Sequence, residues 1–179
     1  MNRVLVVGTS GAGKTTVATR IAARLGLPVH ASDPFYWQPD WQPAPREQVD
    51  ECLAGVLNQP RWVLDGNFER QWRQAWIEAE CVVWLDYPLP TVLWQLAIRN
   101  FGWALRRTTV WSGNRMSVRQ AFSGVVHAVR SHAAKRRRYP QYVAQLNGVT
   151  VLRFQSRRET RAWLSTLREV PQQGQAAAA

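Results

Sequence analysis

Residues Gly8–Thr15 read GTSGAGKT, and the reading of the whole chain turns on them. They fit G-x-x-x-x-G-K-[ST] in full. RVLVVG (Arg3–Gly8) runs into them as a short apolar segment ending in glycine, the pattern of a buried strand. Beyond them Val17, Ala18, Ile21, Ala22 and Leu25 recur at helical spacing until Gly26 and Pro28 stop the helix. Strand, glycine-rich loop and helix form the context in which this motif cradles phosphate. Glycines let the backbone curl so that successive N–H groups face the phosphate oxygens, and the helix N-terminus adds positive potential. The expected nucleotide contacts are Gly8, Ser10, Gly11, Ala12, Gly13, Lys14, Thr15 and Thr16. Lys14 is expected to reach the β/γ-phosphates and Thr15 to ligate Mg²⁺, which makes ATP and Mg²⁺ the expected cofactors.

Working outward, apolar strands alternate with helices. Pro28–Ala31, Arg61–Gly66, Cys81–Asp86 and Gly148–Phe154 read as strands. Glu47–Leu57, Phe68–Glu78, Pro90 to about Arg107, Val118 to about Arg138, and Tyr142–Leu146 read as helices. Ser156 and Glu159 form an S-x-x-E capping box that opens a last helix to Arg168. This alternation predicts an α/β three-layer sandwich with a five-stranded parallel sheet. One domain over 1–170 is expected, with the 90–138 pair of helices projecting as an appendage, a lid at about 99–138, and a disordered tail at 171–179.

The 179 residues suit one core, no apolar run approaches 18 residues, and MNRVLVVG enters a strand with no leader-like segment. Cys52 and Cys81 match no metal spacing, and His127 and His132, five apart, share no helix face. A cytoplasmic, reducing location without membrane insertion is expected. The net charge of +11 is uneven: no acid occurs between Asp86 and Glu159, where thirteen basic residues stand. Such a field attracts polyanions, nucleotides or nucleic acid. Lys135-Arg-Arg-Arg138 reads as a basic helix end that suits the helix dipole.

Asp33, Asp65 and Asp86 each end a strand, and in open α/β sheets ligands bind outside the carboxyl ends of the strands. Asp65, followed by Gly66-Asn67, is the candidate Mg²⁺ acid. Asp86 either joins that site or caps the next helix. Asp33 is placed to orient an acceptor and take its proton. It opens SDPFYWQPDWQPAPREQ (Ser32–Gln48), where four aromatics and four prolines make a stiff wall. Asp33, Trp37, Trp41, Asn67, Arg70 and Arg73 are the candidate acceptor contacts. Arginines straddle the break TTVWSGNRMS (Thr108–Ser117), a hinge pattern for a lid that closes over ATP. Arg99 and Arg115 are the lid candidates, and with Lys14 and Asp33 they make the candidate catalytic set.

The phosphate loop, Asp33 before FYWQPDW, D-G-N-F at 65–68, VVWLDYP and the closing VLRFQSRRETRAWL together resemble the adenylate-kinase-like P-loop proteins, and more narrowly the group labelled topology modulation proteins. The resemblance runs to Leu167. It implies a nucleoside-kinase-like fold, a mobile lid and transfer of the ATP γ-phosphate. It implies that Asp65 supports Mg²⁺, that Arg99 clamps ATP phosphates, and that adenine rests on the turn Gln155-Ser156-Arg157. Adenylate kinases carry Pro-Arg after D-G-F to hold the AMP phosphate. This chain has Asn67-Phe68-Glu69-Arg70, which weighs against AMP as the acceptor.

The leading expectation is a phosphotransferase of the nucleoside, shikimate or gluconate type acting on an unidentified small-molecule or nucleotide acceptor. The absence of an N-K-x-D guanine motif argues against a regulatory GTPase. A nucleic-acid-associated P-loop ATPase and a nucleotide-binding protein with little catalysis remain alternatives. The oligomeric state is open.

Overall fold

The computed structural model describes residues 1–67, 71–106 and 108–167. The expectations for Arg70, Arg107, Arg168 and the 171–179 tail fall outside them. Five strands, β1 (Arg3–Gly8), β2 (Val29–Ala31), β3 (Trp62–Asp65), β4 (Cys81–Leu85) and β5 (Thr150–Phe154), form one parallel sheet in the order β2-β3-β1-β4-β5. The α-helices among the described residues are α1 (Lys14–Leu25), α2 (Asp33–Tyr36), α3 (Arg46–Leu57), α4 (Trp72–Ile77), α5 (Leu89–Leu105), α6 (Val118–Val143) and α7 (Arg157–Thr166).

Parallel strands covered on both faces need apolar residues at every position, and β1 shows why. Val4 and Val6 point into one core with Ala18, Ile21, Val83 and Leu164, so α1 and α7 cover that face. Leu5 and Val7 point into the other with Trp62 of β3, Trp84 of β4, and Leu53, Trp76 and Tyr139 from α3, α4 and α6. The result is the expected three-layer α/β sandwich.

Register brings the strand ends together. Val6 and Ala31 both pair with Asp65, Gly8 pairs with Leu85, and Leu85 pairs with Phe154. The phosphate loop, Asp33, Asp65, Asp86 and the Gln155 turn therefore share one edge.

Three expectations change. The helix expected over Phe68–Glu78 is described only as Trp72–Ile77. The helix expected to end near Arg138 runs through Pro140 to Val143 and absorbs the start of the separate Tyr142–Leu146 helix. Pro140 removes one backbone hydrogen bond, but Tyr139, 1% exposed, and the half-buried Tyr142 and Val143 hold the turn on both sides against the core. Third, α5 and α6 do not stand off as an appendage. Val92 and Leu96 of α5 are fully buried, and a Cβ added at Gly11 would meet the Leu96 Cβ at 2.7 Å. Among the described residues no helix is long and apolar enough to cross a membrane.

Candidate functional site

The loop between β1 and α1 takes its shape from backbone constraints. Gly11 and Gly13 have φ of 89° and 85°, which side chains with a Cβ rarely adopt. The N–H of Ala12 donates to the Thr9 carbonyl at 3.0 Å, closing the first turn. Below it, the Gly8 N–H donates to Asn67 Oδ1 at 3.1 Å, and the Tyr139 hydroxyl donates to the same oxygen at 3.0 Å. Asn67, expected on the acceptor, thus braces the loop from β3 and α6. The Thr9 hydroxyl, also buried, lies 3.0 Å from His132 Nδ1.

Thr15, in the first turn of α1, donates its hydroxyl to Asp65 Oδ2 at 2.5 Å. The other oxygen, Asp65 Oδ1, is buried and has no partner among the described residues. Burial raises the Asp65 pKa, opposed by Lys14, by the Thr15 hydrogen bond and by Arg99, and reinforced by Asp33. An orphaned buried carboxylate oxygen beside a hydroxyl is the donor chemistry a hard cation takes. Mg²⁺ characteristically binds through one or two protein oxygens and completes its shell with phosphate and water.

Arg99 converges on the same place from α5. Its guanidinium lies 4.8 Å above the Trp103 ring, and its Nε donates to Asn100 Oδ1 at 3.2 Å. Burial lowers its pKa, and Asp33 and Asp65 oppose that shift. Asp33 opens α2 behind Ser32, whose N–H donates to the Asp65 carbonyl at 2.8 Å. Lys14, Thr15, Asp33, Asp65 and Arg99 are therefore neighbours at the sheet edge.

The proline-rich stretch and the Thr108–Ser117 break meet each other. Each forms a small hairpin-like loop, bridged at Trp37–Pro43 and at Thr109–Arg115, with left-handed residues Asp40, Trp41 and Ser112 at the tips. Asn114, 4% exposed, accepts the Trp41 N–H at 2.9 Å and donates to the carbonyls of Gln38 at 2.8 Å and Trp111 at 2.9 Å. Trp41 Nε1 donates to the Arg115 carbonyl at 3.2 Å, and the Ser112 hydroxyl donates to the Trp37 carbonyl. Edge-to-face rings run from Trp37 to Trp41 (5.6 Å), Trp111 (6.2 Å) and Trp103 (6.0 Å), ending under Arg99.

The remaining expected residues lie elsewhere. Arg115 contributes its backbone carbonyl here, and its side chain is exposed. Arg73 is exposed and donates to Gln145 Oε1 at 3.1 Å. At the β5–α7 turn, Ser156 caps α7, and Glu159 accepts the Gln155 N–H at 2.9 Å, so the capping box closes one residue earlier than usual. Arg157 opens α7 at that same edge. Asp86 is neither free nor a helix cap. Its side chain is 1% exposed, Arg136 Nε pairs with Oδ1 at 2.9 Å, and Arg153 Nε donates to Oδ2 at 2.9 Å. The basic run 135–138 is thereby divided: Lys135 is buried, Arg136 holds Asp86, and Arg137 and Arg138 are exposed.

The sequence reading considered His132 only as a metal ligand and passed over Tyr139 and Asn114. A signal existed for the first two: Ala128, His132, Lys135 and Tyr139 recur at spacings of four, three and four, one helix face, and all are buried.

No family model matches the chain, and no curated protein matches it in sequence. Solved structures do match. A shikimate kinase from Acinetobacter baumannii in complex with shikimate aligns with a TM-score of 0.58 and 19% identity, over 92% of this chain and 89% of that one. A gluconokinase from Sinorhizobium meliloti 1021 aligns at 0.51 and 16%, over 93% of each chain. A shikimate kinase from Bacteroides thetaiotaomicron aligns at 0.50 and 17%, over 93% and 95%. The five-stranded parallel sheet with its flanking helices thus has the P-loop α/β fold of the shikimate kinases.

Proposed function

We propose that this protein is an ATP- and Mg²⁺-dependent phosphotransferase that moves the γ-phosphate to a small hydroxyl-bearing acceptor. The observation that carries the reading is Asp65: one carboxylate oxygen on the Thr15 hydroxyl, the other buried and unpartnered, at the foot of the phosphate loop. Thr15 and Asp65 are the residues that would hold the cation, which when bound neutralises phosphate charge. Loop N–H groups and Lys14 bind the β/γ-phosphates. Arg99, held between Asn100 and Trp103, aims a second positive charge at the same region and stabilises charge that develops on transfer. Asp33, beside Arg99 and Asp65, accepts the proton of the acceptor hydroxyl. The hairpin bearing Trp37 and Trp41 forms a wall beside it, and Asn114 ties that wall to the lid so that water is shut out from both sides at once. The names of the structural neighbours, two shikimate kinases and a gluconokinase, support a hydroxylated small molecule as acceptor.

The test pairs binding with turnover. A thermal-shift screen of hydroxy acids, sugars and nucleosides, with Mg²⁺ and a non-hydrolysable ATP analogue, is expected to show a raised melting temperature for the acceptor. Lys14→Ala is expected to lose nucleotide binding and transfer. Unchanged Mg-ATP affinity in that variant would sink the proposal. A nucleic-acid-associated ATPase is the second reading, favoured by the acid-free run between Asp86 and Glu159 and by the exposed Arg130, Arg137 and Arg138 of α6. It requires nucleic-acid affinity that falls steeply with salt.

A further inference from the structure

The inner face of α6 reaches the phosphate loop in two places, once directly and once through Asn67. His132 Nδ1 lies 3.0 Å from the Thr9 hydroxyl. Seven residues on, the Tyr139 hydroxyl and the Gly8 N–H share Asn67 Oδ1. Between them Arg136 pins the helix to Asp86 at the end of β4. His132, Arg136 and Tyr139 stand at i, i+4 and i+7, so one helix stripe grips the point where the chain leaves β1. None of these side chains belongs to the motif that binds phosphate, yet His132 meets its second residue directly and Tyr139 shares the Asn67 oxygen with its first.

The Thr9–His132 contact is a built one. Both residues are buried, at 4% and 6% exposure, 123 residues apart in the chain. Thr9 also carries the carbonyl that accepts the Ala12 N–H, so the orientation of this residue sets the first turn of the loop. Burial opposes charging of the imidazole, as do Arg136 and Lys135 on its own helix, while Asp86, already held by Arg136 and Arg153, favours it. The ring meets the hydroxyl through Nδ1.

We propose that His132 is a positioning residue for the phosphate loop: through the Thr9 hydroxyl it holds the first turn in the shape that receives nucleotide phosphates. The inference rests on the nucleotide-binding reading above and extends it to a helix outside the loop motif. Nucleotide affinity then depends on a bond made from the lid side of the protein.

The measurement is the affinity for a fluorescent ATP analogue with Mg²⁺, with thermal melts as a check on folding. His132→Phe keeps a ring and removes the bond, and Thr9→Val removes it from the other end. Each is expected to weaken binding about fivefold, the scale of one hydrogen bond. The double variant is expected to bind no worse than either single, because both remove one interaction. His132→Asn places a polar atom where Nδ1 stood and is expected to stay within about twofold of wild type. If His132→Phe does not fold, Thr9→Val and His132→Asn carry the comparison. A wild type and a Thr9→Val variant that bind equally, while Lys14→Ala loses binding, would overturn this proposal alone. So would effects that add in the double variant. A wild type that does not bind the analogue would overturn the nucleotide reading and this proposal with it.

Discussion

The side-chain oxygen of Asn114 accepts the backbone N–H of Trp41 at 2.9 Å, joining two loops that lie 73 residues apart. Its amide nitrogen reaches the Gln38 and Trp111 carbonyls at the same time. Asn114→Ala is expected to cost about 2 kcal/mol locally, the sum of several modest hydrogen bonds. The loss should appear as amide hydrogen exchange at Gln38–Trp41 and Val110–Asn114 that is faster by an order of magnitude or more, with strand amides unaffected. Equal exchange in both proteins would mean that the two loops are not tied through this residue.

Asp65→Asn separates stability from function. The native carboxylate sits where burial penalises its charge, and its pKa is raised accordingly. A neutral amide of the same size removes that penalty, so the ligand-free melting temperature is expected to rise by a few degrees. Mg²⁺-dependent nucleotide affinity is expected to drop at least tenfold, because Asn offers no negative oxygen. Calorimetric titration with and without Mg²⁺ distinguishes the two effects.

Asp86→Ala should destabilise the fold and loosen the hold of α6 on the end of β4. It leaves Arg136 and Arg153 facing a void where their shared carboxylate stood. Both arginines are about two-fifths exposed, so solvent screens part of the effect, and a cost of about 2 kcal/mol is expected rather than the larger value of a wholly buried pair. Urea denaturation measures it.

His132 gives the folded state a pH dependence of definite sign. Its native pKa lies below the ordinary histidine value, chiefly through burial and then through Arg136. The unfolded chain therefore takes up the proton first as pH falls below about 6.5. Stability is fully present above that point and declines as pH drops toward the depressed native value. Melting temperatures between pH 7.5 and 5.5 should show a steeper decline in wild type than in His132→Asn. Parallel curves would place the titration elsewhere.

What could be read in the chain, and what could not, follows from the range of the interactions. Gly8–Thr15 was legible because the motif is local: each glycine answers a backbone need within the same turn. Asp65 and Asp33 were legible because strand ends in a parallel sheet share an edge, whatever the loops do. Asp86 stood open between two roles because its partners, Arg136 and Arg153, come from α6 and β5, and no spacing rule joins them. Asn114 was hidden for the same reason. Its environment is a loop 73 residues away, and its own turn looks like any W-S-G-N break. The end set near Arg138 fell short because Tyr139 and its neighbours are packed firmly enough to carry the helix through Pro140 to Val143.

The length of α6 has a mechanical consequence. Its 26 residues make a rod of about 39 Å. His132 and Arg136 fasten its inner half to the phosphate loop and the end of β4, and the outer half is fastened to α5, where Asn100 Nδ2 donates to the Ala121 carbonyl at 3.4 Å and Ala121 and Ala128 are fully buried. Held at both ends, the rod is a strut that joins the floor of the phosphate loop to the helix that carries Arg99.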